Sequence, residues 1–180
     1  NIFSYALMRD ENGEDMHKSK GNAIWFEDAA EEMGVDAMRW QFARQNPAAN
    51  LNFGFGTADE VRRQFLIPLW NVFSFFVTYA NIDEFDPRAE IPLVSERTEL
   101  DRWILSELNT LIREVTRALE SFEPENVTRE VEQFTEYLSN WYIRRSRRRF
   151  WKSGLLSDSS KDSNHDKLSA YSTLYETLVT

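Results

Sequence analysis

Apolar residues recur every three or four positions through most of residues 57–180, and that spacing restricts the stretch to long helices sharing a core. Val61, Phe65, Leu69, Phe73, Phe76 and Ala80 form one stripe, opened by a Thr57–Glu60 capping-box signal and expected to kink or break at Pro68. Leu100, Ile104, Leu108, Leu111, Val115 and Leu119 form a second, over about 95–120. Pro124 suits the first turn of a third helix, which would bury Val127, Val131, Phe134, Leu138 and Trp141 and end near Lys152. Residues 154–165, rich in Ser, Asp and Lys, read as a mobile loop, and a fourth helix from about Asp166 turns Leu168, Tyr171, Leu174 and Leu178 inward. The expected fold is mainly α: an antiparallel bundle of four helices over 57–180, preceded by a small α/β segment.

That segment is 1–56. Residues 3–8 read as a strand, and Asp10-Glu11-Asn12-Gly13 as a tight turn starting a hairpin. Helices follow over about Glu27–Met33, stopped by Gly34, and from an N-cap at Asp36 to about Arg44. Leu51-Asn52-Phe53 reads as extended, broken by Gly54-Phe55-Gly56. The chain opens without an initiator Met or a basic leader, and both ends read as cut, so a longer protein is expected. The longest apolar run, Phe65 to Ile82, is interrupted by Pro68, Asn71, Ser74, Thr78 and Asn81, so no membrane span is expected.

Cysteine is absent and histidine is limited to His17 and His165, so neither disulfides nor a structural zinc site is expected. The formal net charge of −9 argues against a generic polyanion binder. Yet Arg144, Arg145, Arg147, Arg148 and Arg149 crowd one short stretch, a local basic patch suited to a specific anionic partner.

Two stretches carry chemistry. In Met16-His17-Lys18-Ser19-Lys20-Gly21-Asn22, ammonium groups and a hydroxyl sit on a loop where Gly21 permits close backbone approach. Lysines so placed can neutralise charge on a phosphoryl group as it reacts. Chemistry alone favours a polar surface turn, since such residues dominate ordinary turns. In Asn140–Trp151, Trp141, Tyr142, Phe150 and Trp151 interleave with the arginines; Arg144 and Arg148 share a helical face, as do Arg145 and Arg149. Guanidinium forks suit phosphate and rings can stack on bases. The structural alternative is macrodipole compensation and pairing with Glu130, Glu132 or Glu136, with Trp141 in the core.

Met16–Asn22 resembles the KMSKS signature of class I aminoacyl-tRNA synthetases, with Asp15 at the first Lys position and His17 at the central Ser position. Asp36-Ala37-Met38-Arg39-Trp40 is similar to a following segment of that family. Leu138–Trp151 resembles the isoleucyl-type helix with a double Arg, Ser, triple Arg and Phe-Trp; Leu69–Phe76 and Leu100–Ser106 also fit that type. The resemblance implies ATP-dependent activation of isoleucine and its transfer to tRNA(Ile). Lys18 and Ser19 would be catalytic, and Met16, His17, Lys18, Ser19, Gly21 and Asn22 would handle ATP. Arg144, Arg145, Arg147, Arg148, Arg149 and Trp141 would bind tRNA. Residues 1–56 would end a Rossmann-type catalytic domain, and 57–180 would form the anticodon-binding domain. Magnesium would accompany ATP in the full-length enzyme; this stretch alone, lacking the HIGH signature and the amino-acid pocket, would be inactive and bind no cofactor. A cytoplasmic monomer is expected. A valyl- or leucyl-type synthetase, or a helical nucleic-acid-binding module without chemistry, stands as the alternative.

Overall fold

The computed structural model describes residues 6–152 and 161–180. It is mostly helical with one small sheet. The chain divides into two compact units, the first holding residues up to Ile67 with Glu114–Glu132, the second Pro68–Arg113 with Gln133–Thr180.

In the first unit, β1 (Met8–Arg9) pairs in parallel with β2 (Leu51–Asn52), Met8 opposite Leu51 and Arg9 opposite Asn52. The expected hairpin is reduced to its turn, closed by a lone antiparallel bridge from Arg9 to Asp15. Gly13 supplies the positive φ, 83°, that this turn requires. Residues 3–5 of the expected strand lie outside the described residues. Helices α1 (Phe26–Glu32) and α2 (Val35–Ala43) follow, separated by Gly34 at φ 82°. Gly34, rather than Asp36, is the cap of α2, and Asp36 sits in its first turn where a carboxylate favours the helix dipole. Ala29, Met33, Ala37, Leu51, Phe53 and Ala58 form the core of this unit.

Helix α3 (Phe55–Val61) starts earlier than Thr57, because Gly54 caps it: the Thr57 hydroxyl accepts the Gly54 N–H at 3.1 Å. The Gly54-Phe55-Gly56 break thus becomes a helix start. Its glycines admit the Glu11 carboxylate, which accepts the Gly56 N–H at 2.9 Å; a Cβ on Gly54 would fall 2.7 Å from Glu11 Oε2.

A π-helical turn, Arg62–Leu66, links α3 to α4 (Ile67–Ile82) without interruption. Pro68 therefore neither ends nor breaks the helix. It lacks an N–H and its ring crowds the preceding turn, and the wider π turn just before it relieves that crowding. Val61 and Phe65 are buried as expected; beyond the π turn Val72 is buried and Phe73 is 44% exposed, while Phe76 and Ala80 pack against the core of the second unit as expected. By length and composition the continuous 28-residue helix Phe55–Ile82 is apolar enough to cross a membrane, contrary to the expectation from sequence. Its interrupting residues are outweighed by the large apolar ones around them, and no charged side chain falls between Phe65 and Ile82.

In the second unit, α4, the first part of α5 (Glu99–Glu120), the end of the third long helix and α8 (Lys161–Val179) enclose a core of Val72, Ile104, Leu108, Leu138, Tyr142, Phe150, Tyr171 and Leu174. The Thr98 hydroxyl, N-terminal to α5, donates to Asp101 Oδ2 at 2.7 Å and accepts the Asp101 N–H, a reciprocal cap that starts the helix at Glu99. The third long helix runs as α6 (Pro124–Glu136), a π-helical segment Tyr137–Ile143, and α7 (Arg144–Trp151). Helix α8 begins earlier than expected, so residues 161–165 are helical and 154–160 of the expected loop lie outside the described residues.

Candidate functional site

In the Met16–Asn22 loop, Lys18–Lys20 forms a single 3-10 turn ended by Gly21 at φ 72°, a left-handed conformation with no atom within 4 Å of where a Cβ would stand. Asn22 holds the loop closed. Its side-chain oxygen accepts the His17 N–H at 2.9 Å, and its amide donates to Asp10 Oδ2 at 2.9 Å and to the Asp15 carbonyl at 3.2 Å. The Asn22 amide, with the Glu14 and Asn12 backbone amides, holds the Asp10 carboxyl below its ordinary value. The residue at the first Lys position of the signature, Asp15, faces Arg9 at 3.4 Å. The Lys18 ammonium lies over the Trp25 ring, 4.3 Å from its centroid, and has no carboxylate partner among the described residues. Ser19 is exposed on the same turn, Met16 half-buried at its root. Gly21 and Asn22 line a cleft of about 430 Å³ with Asp10, Glu11, Asp28, Glu32 and Gly54. Lys18, Ser19, Gly21 and Asn22 are thus brought together on one loop. Among the described residues no group of three His, Cys, Asp or Glu side chains is placed to hold a metal ion.

The arginine helix is set by the π segment Tyr137–Ile143. An α-helical count from Phe134 and Leu138 admits Trp141 to the core; the wider π turn delivers Tyr142 instead, which is fully buried. Trp141 is pushed to the surface, 49% exposed, where the Arg145 guanidinium stacks on it at 4.6 Å. From Tyr142 onward, Ser146 and Phe150 continue the buried face. Arg144, Arg145, Arg147 and Arg148 are exposed. Among the described residues Arg144, Arg147 and Arg148 have no hydrogen-bond or ion-pair partner; of the expected acidic partners, Glu132 and Glu130 are engaged elsewhere. Glu132 accepts the Trp40 indole N–H at 2.8 Å and pairs with Arg44, and Glu130 faces Arg129.

Arg149 stands apart from the other four. Its guanidinium grips Asp101 through both terminal nitrogens, each at 2.7 Å, donates to the Asp166 carbonyl at 2.9 Å, and places Nε 2.8 Å from the Asp166 carboxylate. Asp101, wholly buried, also accepts the Tyr142 hydroxyl at 2.7 Å. Burial alone would raise the Asp101 carboxyl, but the Arg149 guanidinium, with Thr98 and Tyr142, holds it below its ordinary value. Burial, reinforced by the Asp101 charge, pushes the Tyr142 hydroxyl well above the usual tyrosine value of 10.0. Arg97 is similarly held by Glu176, at 2.7 and 3.0 Å, and by Thr173; Lys167 lies buried against Asp83, which also accepts the Tyr171 hydroxyl.

The signs of these shifts fix a pH response. A carboxyl depressed by folding stabilises above its unfolded value and loses that contribution as pH falls through the folded one, below about 4 for Asp101. A tyrosine raised by folding stabilises up to its unfolded value and loses the contribution as pH rises beyond it. The stability difference between the parent protein and Tyr142→Phe, read from urea midpoints, is expected to be flat up to about pH 10 and to shrink above it. A difference unchanged to about pH 11.5 would mean that Tyr142 is not held neutral by burial.

Sequence reasoning missed Asp101, Glu107, Trp103 and Tyr137. The Thr98-x-x-Asp101 pattern marks a helix start but not a partner 48 residues away. Trp103 with Glu107 and Tyr137 with Trp141 each recur at a four-residue interval, and both pairs line one cleft of about 470 Å³ with Leu100.

Residues 101–180 match the family described as the anticodon-binding domain of tRNA ligase, and residues 1–54 match the class I tRNA synthetases (I, L, M and V). An isoleucine–tRNA ligase of Dehalococcoides mccartyi is 49% identical over 100% of this chain and 17% of the relative. Those of Thermus thermophilus and Porphyromonas gingivalis are 42% and 44% identical over 99% of this chain, covering 16% and 15% of their own lengths. The chain therefore spans about one sixth of the length of these curated relatives. Among solved structures, a LeuRS–tRNA–LeuAMS ternary complex of Agrobacterium radiobacter matches with a TM-score of 0.64 at 18% identity, covering 97% of this chain and 20% of that one, a likeness of fold.

Proposed function

The chain belongs to the class I tRNA synthetases, among the isoleucine–tRNA ligases, and on that premise we propose that it supplies two working parts of such an enzyme. The first part is the loop Met16–Asn22. It closes on ATP while the isoleucine carboxylate attacks the α-phosphorus and pyrophosphate departs. Lys18 neutralises charge gathering on the departing phosphates, Ser19 and the Gly21 backbone approach them, and Met16, His17 and Asn22 shape the loop. Lys18 suits that role because it rests on an aromatic face and is bound to no carboxylate among the described residues. The magnesium expected with ATP finds no ready ligand set among the described residues. The second part is the arginine helix, which grips tRNA(Ile), the acceptor of the isoleucyl group, through its backbone phosphates. Arg144, Arg145, Arg147, Arg148 and Trp141 form that surface, while Arg149 fixes the helix to the core.

In this reading residues 1–56 end the catalytic domain, 57–180 form an antiparallel anticodon-binding bundle, and the helix Phe55–Ile82 packs within a cytoplasmic, monomeric protein. The packing of Phe75, Phe76 and Tyr79 against a protein core supports a non-membrane role. The observation that carries the tRNA assignment is the exposed set Arg144, Arg147 and Arg148, with no hydrogen-bond or ion-pair partner among the described residues, on an otherwise acidic chain. Titrating tRNA(Ile) binding by the full-length enzyme against salt tests it. Affinity should fall steeply, and Arg144→Ala with Arg148→Ala should each lower the log–log slope by about 0.7–0.9. A slope unchanged in the double variant would sink the assignment.

A further inference from the structure

The cleft beside the arginine helix has the chemistry of a seat for a single base. Two helices of the second unit build it: Leu100, Trp103 and Glu107 from α5, Tyr137 and Trp141 from the π segment. Its volume, about 470 Å³, falls in the range of small-ligand sites. The Trp103 and Tyr137 rings pack 5.8 Å apart at 55°, forming an aromatic wall. Trp141 lines the cleft and also carries the Arg145 guanidinium, so a cation stands next to an apolar slot. Arg144 and Arg148 are exposed on the helix that continues from it.

Glu107 supplies the remaining polarity. It is the one charged residue among the lining residues, half-buried, and without an ion-pair or hydrogen-bond partner among the described residues. An acceptor set among rings calls for an occupant that is flat, apolar on its faces and furnished with N–H donors on its edge. A neighbouring row of free arginines calls for an occupant that brings negative charge alongside. An unstacked nucleotide meets both demands. Single-stranded bases stack on aromatic side chains and are read on their edges, and a carboxylate accepts from an exocyclic amino group. A cationic peptide would suit Glu107 but would be repelled by the arginines.

We propose that this cleft binds an unstacked nucleobase bearing an amino group (adenine, cytosine or guanine), with Glu107 accepting from that group, the rings of Trp103, Tyr137 and Trp141 holding its faces, and Arg145 and Arg148 holding the flanking phosphates. The proposal rests on the tRNA-binding reading and specifies what one part of that surface recognises. Uracil presents a carbonyl where cytosine presents the amino group, so Glu107 discriminates against it.

The test uses the full-length enzyme with short single-stranded RNA oligomers of equal length, rich in adenine or cytosine in one set and in uracil in the other, together with tRNA(Ile). The parent enzyme should prefer the amino-bearing oligomers. Trp141→Ala should weaken them about 5- to 150-fold, the effect of losing one base–aromatic stack, while leaving the salt slope unchanged. Trp141→Phe should restore most of the affinity. Arg145→Ala should reduce the salt slope, which separates its phosphate contact from its contact with Trp141. Glu107→Gln should abolish the preference over uracil without weakening phosphate-driven binding, because an amide both donates and accepts. Circular dichroism and melting temperature verify folding of each variant. If tRNA binding responds to Arg144→Ala and Arg148→Ala but the Trp141 and Glu107 variants leave affinity and base preference untouched, the base seat is wrong and the tRNA surface stands. If the parent enzyme shows no salt-dependent tRNA binding, both fail. If Glu107→Gln instead lowers affinity for an oligoarginine peptide and changes nothing for RNA, the cleft is a peptide site and the proposal is overturned.

Discussion

Replacing Arg149 with methionine is expected to destabilise the fold by about 3–5 kcal/mol, more than any other arginine of the Arg144–Arg149 row. The substitution leaves Asp101, wholly buried, with no counter-charge, and removes two 2.7 Å hydrogen bonds together with the hold on Asp166. The cost comes chiefly from stranding the carboxylate rather than from the attraction lost, since taking a charge out of water is expensive and only a well-placed partner compensates it. Two controls follow from that reasoning. Arg149→Lys keeps the charge but loses the fork, and should recover only part of the stability. Asp101→Leu combined with Arg149→Met removes both charges and should be less damaging than Arg149→Met alone. Urea unfolding of the full-length enzyme, followed by a probe in the helical region, measures all three. A loss below about 1 kcal/mol for Arg149→Met would place the pair in the class of exposed ion pairs and contradict its burial. Arg144→Ala and Arg148→Ala should change stability by no more than about 0.5 kcal/mol, because neither side chain has a partner to lose among the described residues.

Lys18→Ala in the full-length enzyme should slow adenylate formation by about 10²–10³-fold while leaving isoleucine affinity nearly unchanged. A cation that meets charge developing on departing phosphate contributes more to the transition state than to the bound substrates. The local geometry favours Lys18 over its neighbours. Asp15 has taken the first basic position of the signature and faces Arg9, so that position offers no ammonium. Lys18 rests on Trp25, a contact strong enough to orient it and weak enough to be given up on loop closure. Asn22→Ala should produce a milder defect, because it frees the loop from Asp10, Asp15 and His17 without removing the charge. Isoleucine-dependent pyrophosphate exchange reads both variants, and exchange by Lys18→Ala at the parent rate would refute the role.

Helical content was readable because the apolar stripes are long, and helix starts were readable where a cap has a sequence pattern, as at Pro124. What escaped were the two π turns. A π turn inserts one residue into the helical count, and no residue type marks it, so the stripe drawn through Trp141 fell on the wrong face there. The β1–β2 pairing escaped for another reason: a two-residue parallel contact with Leu51 leaves no periodic signal, whereas the Asn-Gly turn gives a strong local one. The candidate site was legible to the same depth. The loop at Lys18 and the arginines at 144, 145, 147 and 148 stand out by composition. Arg149 stands out equally, and only its contact with Asp101 reveals a different occupation. The cleft of Trp103, Glu107, Tyr137 and Trp141 depends on two helices meeting, which spacing within either cannot report.

The π segment at Tyr137–Ile143 has a consequence for how such a sequence can vary. Loss of a single codon within it would leave a regular helix, and because the wide turn holds one residue more than the α-helical count, Tyr142 would then take the place that count assigns to the core. Tyr142, Ser146, Arg149 and Phe150 would keep the interior, and the arginines that face water would go on facing it. A one-residue deletion from the regular helix on either side has no such slack, and would turn all that follows by about 100° relative to what precedes it.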